Sequence, residues 1–153
     1  MNYKLPGNII IISLLIYLLF SCTPTTCDDE MTSTVKAGFY ETGTGNPLTA
    51  DSVTMFSLGN DTTTIYNKAL NLKSISFPLD ASSDTSILIL RINGNNDTVT
   101  LVYTSYAHLV SKECGFTFYH ILDTVFNTRP EIDFLKKNQN VTTVNEENIR
   151  IYY

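Results

Sequence analysis

Apolar and polar residues alternate through several stretches of the chain, and this pattern predicts β-strands. Three such segments have their apolar residues at Val35, Ala37 and Phe39, at Ile75, Phe77 and Leu79, and at Val99, Leu101 and Tyr103. Alternation puts every second side chain on one face of a strand, so each segment has one face for a core. We therefore expect an all-β protein.

Further segments support this prediction. Residues 87–90 are apolar at consecutive positions, which is typical of a central strand, and Asn93-Gly94 then predicts a hairpin into residues 98–103. Phe116, Phe118, His120 and Leu122 share one face of another predicted strand, and residues 149–153 form the last one. Turn-rich stretches at residues 42–47, 59–61, 81–84 and 93–97 are spaced as in a β-sandwich.

A short helix is the one exception that we expect. Thr128 and Glu131 have the spacing of a capping box, with Pro130 in the first turn, which predicts a helix over residues 131–137. The expected fold is thus a single small antiparallel β-sandwich over residues 32–153 with one short helix. The 21 threonines and five alanines after position 21 favour strands as well.

The N-terminus predicts export. Residues 9–20 form an apolar run that is too short to span a bilayer but fits the core of a signal peptide, and Lys4 precedes it. Ser21-Cys22 ends the run as a lipoprotein cleavage site does, so residues 1–21 are interpreted as the signal peptide and Cys22 as the lipidated residue. The alternative is an ordinary secretory signal with an accidental cysteine. Phe20 is larger than the residue usual at its position.

The residues after Cys22 predict the location of the protein in the cell and a tether to the membrane. Thr23 is not the acidic residue that retains some lipoproteins at the inner membrane, so we expect an outer-membrane lipoprotein, facing the periplasm or the cell surface. Asp28, Asp29 and Glu30 resemble an acidic export tag only loosely. Residues 22–31 are polar, contain Pro24 and are interpreted as a tether to the membrane.

Three cysteines leave a pair once Cys22 carries lipid. Cys27 and Cys114 are then expected to form a disulfide, which an oxidising envelope permits. Two free thiols, or a nucleophilic Cys114, are the alternatives.

The charge balance of 10 basic and 15 acidic residues makes nucleic acid an unsuitable partner, because phosphate binding needs concentrated positive charge.

The sequence contains no recognisable catalytic or metal-binding motif. His108, Glu113, Cys114 and His120 are the densest group of candidates, but their spacing matches no ligand pattern and neighbouring strand residues face opposite ways. The acidic residues 28–30 lack the ligand spacing of a calcium loop. We therefore expect no cofactor, no metal and no enzymatic activity.

Three features resemble uncharacterised lipoprotein families of Bacteroidota. They are Cys27 in a short tether, the segment Cys114-Gly115-Phe116, and the terminal strand that includes Ile149 and Ile151. The resemblance implies a location and a fold, and no activity.

The same phylum attaches O-glycans at Asp, then Ser or Thr, then a small aliphatic residue or Thr. Four such triplets make Ser52, Thr62, Thr98 and Thr124 candidate O-glycosylation sites. Each triplet also has a purely structural explanation, since Asp favours turns and Thr and Val favour strands.

Two hypotheses about function remain. The first is a lipid-anchored, non-catalytic module of the cell envelope that binds or assembles with an envelope protein or glycan. The second is a small envelope hydrolase with an unrecognised active site. A cluster of carboxylates or histidines in a deep pocket would favour the second.

Overall fold

A computed structural model describes residues 27–59 and 63–153, and these residues form two β-sheets packed face to face. Ten strands follow one another along the chain: β1 (Thr34–Tyr40), β2 (Ala50–Leu58), β3 (Thr63–Leu72), β4 (Ser74–Pro78), β5 (Thr85–Ile92), β6 (Asn95–Ser111), β7 (Gly115–Asn127), β8 (Asp133–Lys136), β9 (Asn140–Val141) and β10 (Ile149–Tyr152). No residue of the described ranges is helical, so no helix there could span a membrane.

The smaller sheet has the strand order β4-β1-β10-β8 and the larger one β3-β2-β5-β6-β7-β9. Neighbouring strands are antiparallel except β1 and β10, which pair in parallel with Ala37 opposite Ile149. The prediction of an all-β sandwich is therefore confirmed, with one parallel pair at the centre of the smaller sheet.

The core lies between the two sheets and is built from alternate residues of the strands. Both sheets contribute to one apolar cluster, which includes Phe39 and Ile151 from the smaller sheet and Leu90, Leu101 and Leu122 from the larger one. The three alternating segments predicted from sequence each turn their apolar residues into this core. The β5–β6 hairpin is also confirmed, because Asn93 and Gly94 both have positive φ, as a two-residue type I′ turn requires.

The predicted helix over residues 131–137 is wrong. Residues 133–136 form β8, an edge strand in which Phe134 pairs with Ile151 of β10. The Thr128 hydroxyl does not cap a helix but donates to the Asp97 carboxylate at 2.8 Å. Pairing with the terminal strand therefore overrides the local capping signal.

One other expectation needs refinement, and two strands were not predicted. β5 is central in its sheet, but only one of its faces is covered, and Ile87 on the other is 39% exposed. β2 and β3 were not singled out from the sequence, because the pairing shifts register near Met55 and positive φ angles at Lys68 and Asn71 interrupt the regular alternation.

Candidate functional site

The structure joins Cys27 and Cys114 as a disulfide, with their Cα atoms 4.9 Å apart and a sequence separation of 87. Cys114 lies in the turn between β6 and β7, and Cys27 is the first residue that the structure describes. The disulfide therefore fixes the start of the domain to the tip of the β6–β7 hairpin. The expected lipid site, Cys22, lies outside the described residues.

The β6–β7 hairpin is much longer than the other pairings of the sandwich. β6 spans 17 residues and β7 spans 13, and the pairing continues past Tyr103 and Leu122 to Ser111 and Gly115. We call residues 104–120 the arm. The end of the predicted tether and the start of the domain lie along it, because Thr117 Oγ1 donates to the Met31 carbonyl and Ser33 Oγ to the Phe118 carbonyl, each at 2.5 Å.

One face of the arm carries exposed apolar side chains. Leu109 pairs with Phe116 and Ala107 with Phe118, so all four side chains share the face that, further along, carries Tyr103 and Leu122 in the core. Leu109 is 49% exposed, Phe116 70% and Phe118 50%. We call Ala107, Leu109, Phe116 and Phe118 the arm patch. The sequence predicted the shared face of Phe116 and Phe118, but not the place of Ala107 and Leu109 beside them or the exposure of the patch.

The residues considered for catalysis do not converge. Cys114 is in the disulfide, and His108 stacks on Tyr119 with ring centroids 4.2 Å apart. His120 is buried on the core side of β7, where its Nδ1 lies 2.8 Å from Ser105 Oγ and burial lowers its pKa. Within the described ranges, no group of three or more His, Cys, Asp or Glu side chains is placed to hold a metal ion.

Two acidic side chains of the predicted tether lie close to other groups of the domain's N-terminal end and the arm. Glu30 Oε1 accepts a hydrogen bond from the Thr32 amide at 3.2 Å, and Asp29 Oδ2 lies 3.7 Å from the Cys114 sulfur.

The glycosylation triplets lie in different environments. Thr124 and the preceding Asp123 are both exposed, at a bulge of β7. Ser52 and Thr98 are half-buried, and Asp97 before Thr98 is only 2% exposed. Thr62 lies outside the described residues.

A cavity of about 360 Å³ lies at the end of the sandwich opposite the arm tip. We call it the distal cleft. Its lining residues come from the end of β5, the start of β6, the segment after β7 and the end of the chain: Ile92, Asn95, Arg129, Glu131, Ile132 and Tyr153. These segments meet because β6 and β7 are antiparallel, so the beginning of one adjoins the end of the other.

Asp97 holds the segment that carries Arg129 and Glu131. Its Oδ1 accepts hydrogen bonds from the amides of Thr128 and Arg129 at 2.9 and 3.1 Å. Asn127 Nδ2 donates to the carbonyls of Arg129 and Ile132, at 2.5 and 2.6 Å, and completes this support. The rim of the distal cleft is therefore fixed by buried polar contacts.

Tyr153 supplies the most unusual group of the distal cleft. Its hydroxyl oxygen is buried and has no hydrogen-bond partner among the described residues. Burial raises the pKa of this phenol, and the negative charge of Asp51 raises it further. A buried hydroxyl without a partner costs free energy, so a small movement of Tyr153 that brought this oxygen to a ligand in the distal cleft would be favourable.

The distal cleft was missed by the sequence analysis. None of its polar residues forms a motif, and they are joined only by strand pairing and by the long-range contacts of Asp97. The one available signal was Asp97 itself, an acidic residue inside an otherwise alternating strand.

These observations define a two-sheet all-β domain with a cleft at one end and a disulfide-fixed arm at the other. Residues 52–153 match the model of the Family of unknown function (DUF6452), and the chain belongs to this family. No curated protein and no solved structure matches the chain.

Proposed function

We propose that this protein is a lipid-anchored, non-catalytic binding module of the cell envelope, and that the distal cleft recognises an envelope glycan. The observation that carries the proposal is that Tyr153, whose buried hydroxyl has no partner among the described residues, lines a cleft together with Arg129, Glu131 and Asn95. The alternative ligand is an envelope protein that inserts a polar side chain into the distal cleft.

The chemistry of the distal cleft suits a sugar. Its volume of about 360 Å³ is in the range of small-ligand sites. A guanidinium, a carboxylate and an amide supply both donors and acceptors for sugar hydroxyls, and the phenol of Tyr153 adds an aromatic ring with a polar tip. The apolar side chains of Ile92 and Ile132 complete the lining.

The proposed anchor gives the cleft a useful position. With Cys22 in the outer membrane, residues 22–27 hold the arm end of the domain close to the lipid. β6 runs from the distal cleft to the arm tip over 17 residues, which corresponds to about 55 Å of strand. The cleft would therefore face away from the membrane, where envelope polymers are accessible. Anchoring also raises the effective concentration of the domain, so a weak site is occupied.

Equilibrium binding to glycan fragments prepared from the envelope of the native host tests this function. We expect the purified protein to bind one class of fragment, and Arg129→Ala and Tyr153→Phe to weaken that binding. Arg91→Ala is the matched control, because Arg91 is exposed on a neighbouring strand and lies outside the distal cleft. Equal binding by all four proteins, or no binding by any, contradicts the proposal.

A second readout separates binding from folding in the Tyr153→Phe variant. Removing a buried hydroxyl that has no partner should leave the melting temperature unchanged or raise it, while ligand binding falls. A variant that is less stable and binds normally would show that the hydroxyl serves the fold instead.

The alternative function, a small envelope hydrolase, rests on the contact between Ser105 and His120 at 2.8 Å. His120 is only 2% exposed, and its ring meets the edge of Tyr103 with centroids 5.5 Å apart. Among the described residues, no carboxylate hydrogen bonds to His120, so the arrangement lacks the third group that orients a catalytic base. Turnover of an envelope substrate that is lost in Ser105→Ala would favour the hydrolase and overturn the binding module.

A further inference from the structure

We infer that the arm patch is a membrane-contact surface that rests on the bilayer holding the lipid of Cys22. The inference depends on the lipid anchor in the proposed function, but not on the distal cleft or its ligand. It assigns a role to exposed aromatic side chains that neither the core nor the distal cleft uses.

The length of chain between anchor and disulfide limits where the arm can be. Five residue steps separate Cys22 from Cys27, and a fully extended chain covers about 17 Å in that distance. Cys27 is bonded to Cys114, which is two residues before Phe116 on β7. The disulfide adds a Cα–Cα distance of 4.9 Å, so Cys114 at the tip of the arm is held within about 22 Å of the lipidated residue, whatever path residues 23–26 take.

The residues between Cys22 and the arm are mostly polar by sequence and supply little apolar surface to cover the arm patch. Residues 23–26 are Thr, Pro, Thr and Thr, and the tether residues from Asp28 to Glu30 are acidic and exposed. Met31 is half-buried, and its carbonyl is held by Thr117. A bilayer surface is the apolar partner that the tether keeps within reach of the patch.

The side chains of the arm patch suit the boundary between headgroups and acyl chains. Phe116, Phe118 and Leu109 project from one face of a two-stranded arm, with Lys112 and Glu113 in the turn at its tip. Apolar side chains on a surface element enter this boundary layer to a depth of about 5–10 Å. The acidic tether favours a zwitterionic lipid surface over an anionic one, because like charges repel.

The absence of tryptophan from the chain makes a direct test possible. Phe116→Trp introduces a single fluorophore in the arm patch. Phe126→Trp is the matched control, because Phe126 is 56% exposed, lies on the same strand and is ten residues further from the tip. Both variants are made as the full lipidated protein and reconstituted into phosphatidylcholine vesicles with brominated acyl chains.

We expect the Phe116→Trp protein to show blue-shifted emission and strong quenching by the brominated lipid, and the Phe126→Trp protein to show neither. Equal quenching of both variants overturns the inference. A second result also overturns the inference. If the Phe116→Trp protein forms dimers and its emission is blue-shifted but not quenched, a second copy of the chain covers the arm patch instead of the bilayer.

Flotation of the same vesicles reports on the anchor separately. A protein that floats with the vesicles but is not quenched at position 116 overturns the membrane contact and leaves the anchor intact. A wild-type protein that carries no lipid and does not float overturns the anchor, and with it this inference.

Discussion

At the scale of single residues, two similar aspartates have opposite roles. Asp97 and Asp123 are each followed by Thr and Val, so the sequence gives no reason to distinguish them. The structure buries Asp97 beneath the segment that carries Arg129, whereas Asp123 stays exposed at a bulge. The difference arises from contacts with residues about 30 positions away, which local pattern cannot encode.

Asp97→Ala should therefore destabilise the fold much more than Asp123→Ala. The substitution leaves the amides of Thr128 and Arg129 without their buried acceptor, and we expect the free energy of unfolding to fall by about 3 kcal/mol. Asp123→Ala should change it by less than about 0.5 kcal/mol. Urea denaturation of both variants measures this. Equal losses would show that Asp97 does not support the distal cleft.

The same contrast bears on O-glycosylation, which stays a prediction. Three of the candidate residues lie in the part of the chain that the structure describes. Of these, Thr124 is exposed together with the Asp that precedes it, whereas Ser52 and Thr98 are half-buried. Peptide mass mapping of protein from the native host should therefore find a glycan on Thr124 before Ser52 or Thr98. Modification of Thr98 with Thr124 unmodified would contradict this order.

His120 makes stability depend on pH. Burial lowers its pKa in the folded protein below the ordinary value of about 6.5, so the unfolded chain binds the proton more readily. Above about pH 6.5 His120 is neutral in both states and does not lower the free energy of unfolding. As the pH falls below that value, the unfolded chain takes up the proton first and the free energy of unfolding decreases.

We expect His120→Gln to flatten the fall in unfolding free energy between about pH 7 and pH 5.5, measured by urea denaturation. His108→Gln is the control, since His108 is the other histidine of the chain and lies exposed on the opposite face of the arm. An unchanged pH profile in His120→Gln would mean that another group is responsible.

At the scale of elements, alternation predicted most strands that have one buried face. It could not predict β8, because residues 133–136 become a strand only by pairing with β10 at the other end of the domain. It also could not show where β6 and β7 leave the sandwich, since the arm continues the same apolar alternation beyond the core. Exposure of Phe116 and Phe118 follows from the size of the opposing sheet, which the strand itself does not encode.

The disulfide should stabilise the arm and the fold as a whole. Closing a loop across 87 residues contributes about 4 kcal/mol in the chain-entropy account, so Cys27→Ala and Cys114→Ala should each lower the unfolding free energy by up to that amount. Hydrogen exchange should also rise at the amides of Thr117 and Phe118 and stay slow at Leu88 and Leu90.

Peptide mapping without reduction should show Cys27 and Cys114 linked in wild-type protein. Quantitative alkylation of both thiols in the native, unreduced protein would contradict the bond. The two single variants should behave alike, and combining them should add no further loss.

At the scale of the whole molecule, two surfaces lie at opposite ends of one long hairpin. The arm end is joined by the disulfide to Cys27 in the predicted tether, and the distal cleft lies where β6 begins and β7 ends. The sequence predicted the tether and the cysteine pair, because each depends on residue type and position. It could not predict the cleft, because Asn95, Arg129 and Tyr153 come together only in the folded sandwich.

Lipid on Cys22 is the central claim, since the proposed location, the orientation of the distal cleft and the membrane contact of the arm all depend on it. Metabolic labelling with palmitate in the native host, followed by membrane fractionation, tests it most directly. The wild-type protein and Cys27→Ala should both carry label in the membrane fraction, whereas Cys22→Ala should carry none and be released from that fraction. Label that persists on Cys22→Ala, or its absence from the wild-type protein, would contradict the account.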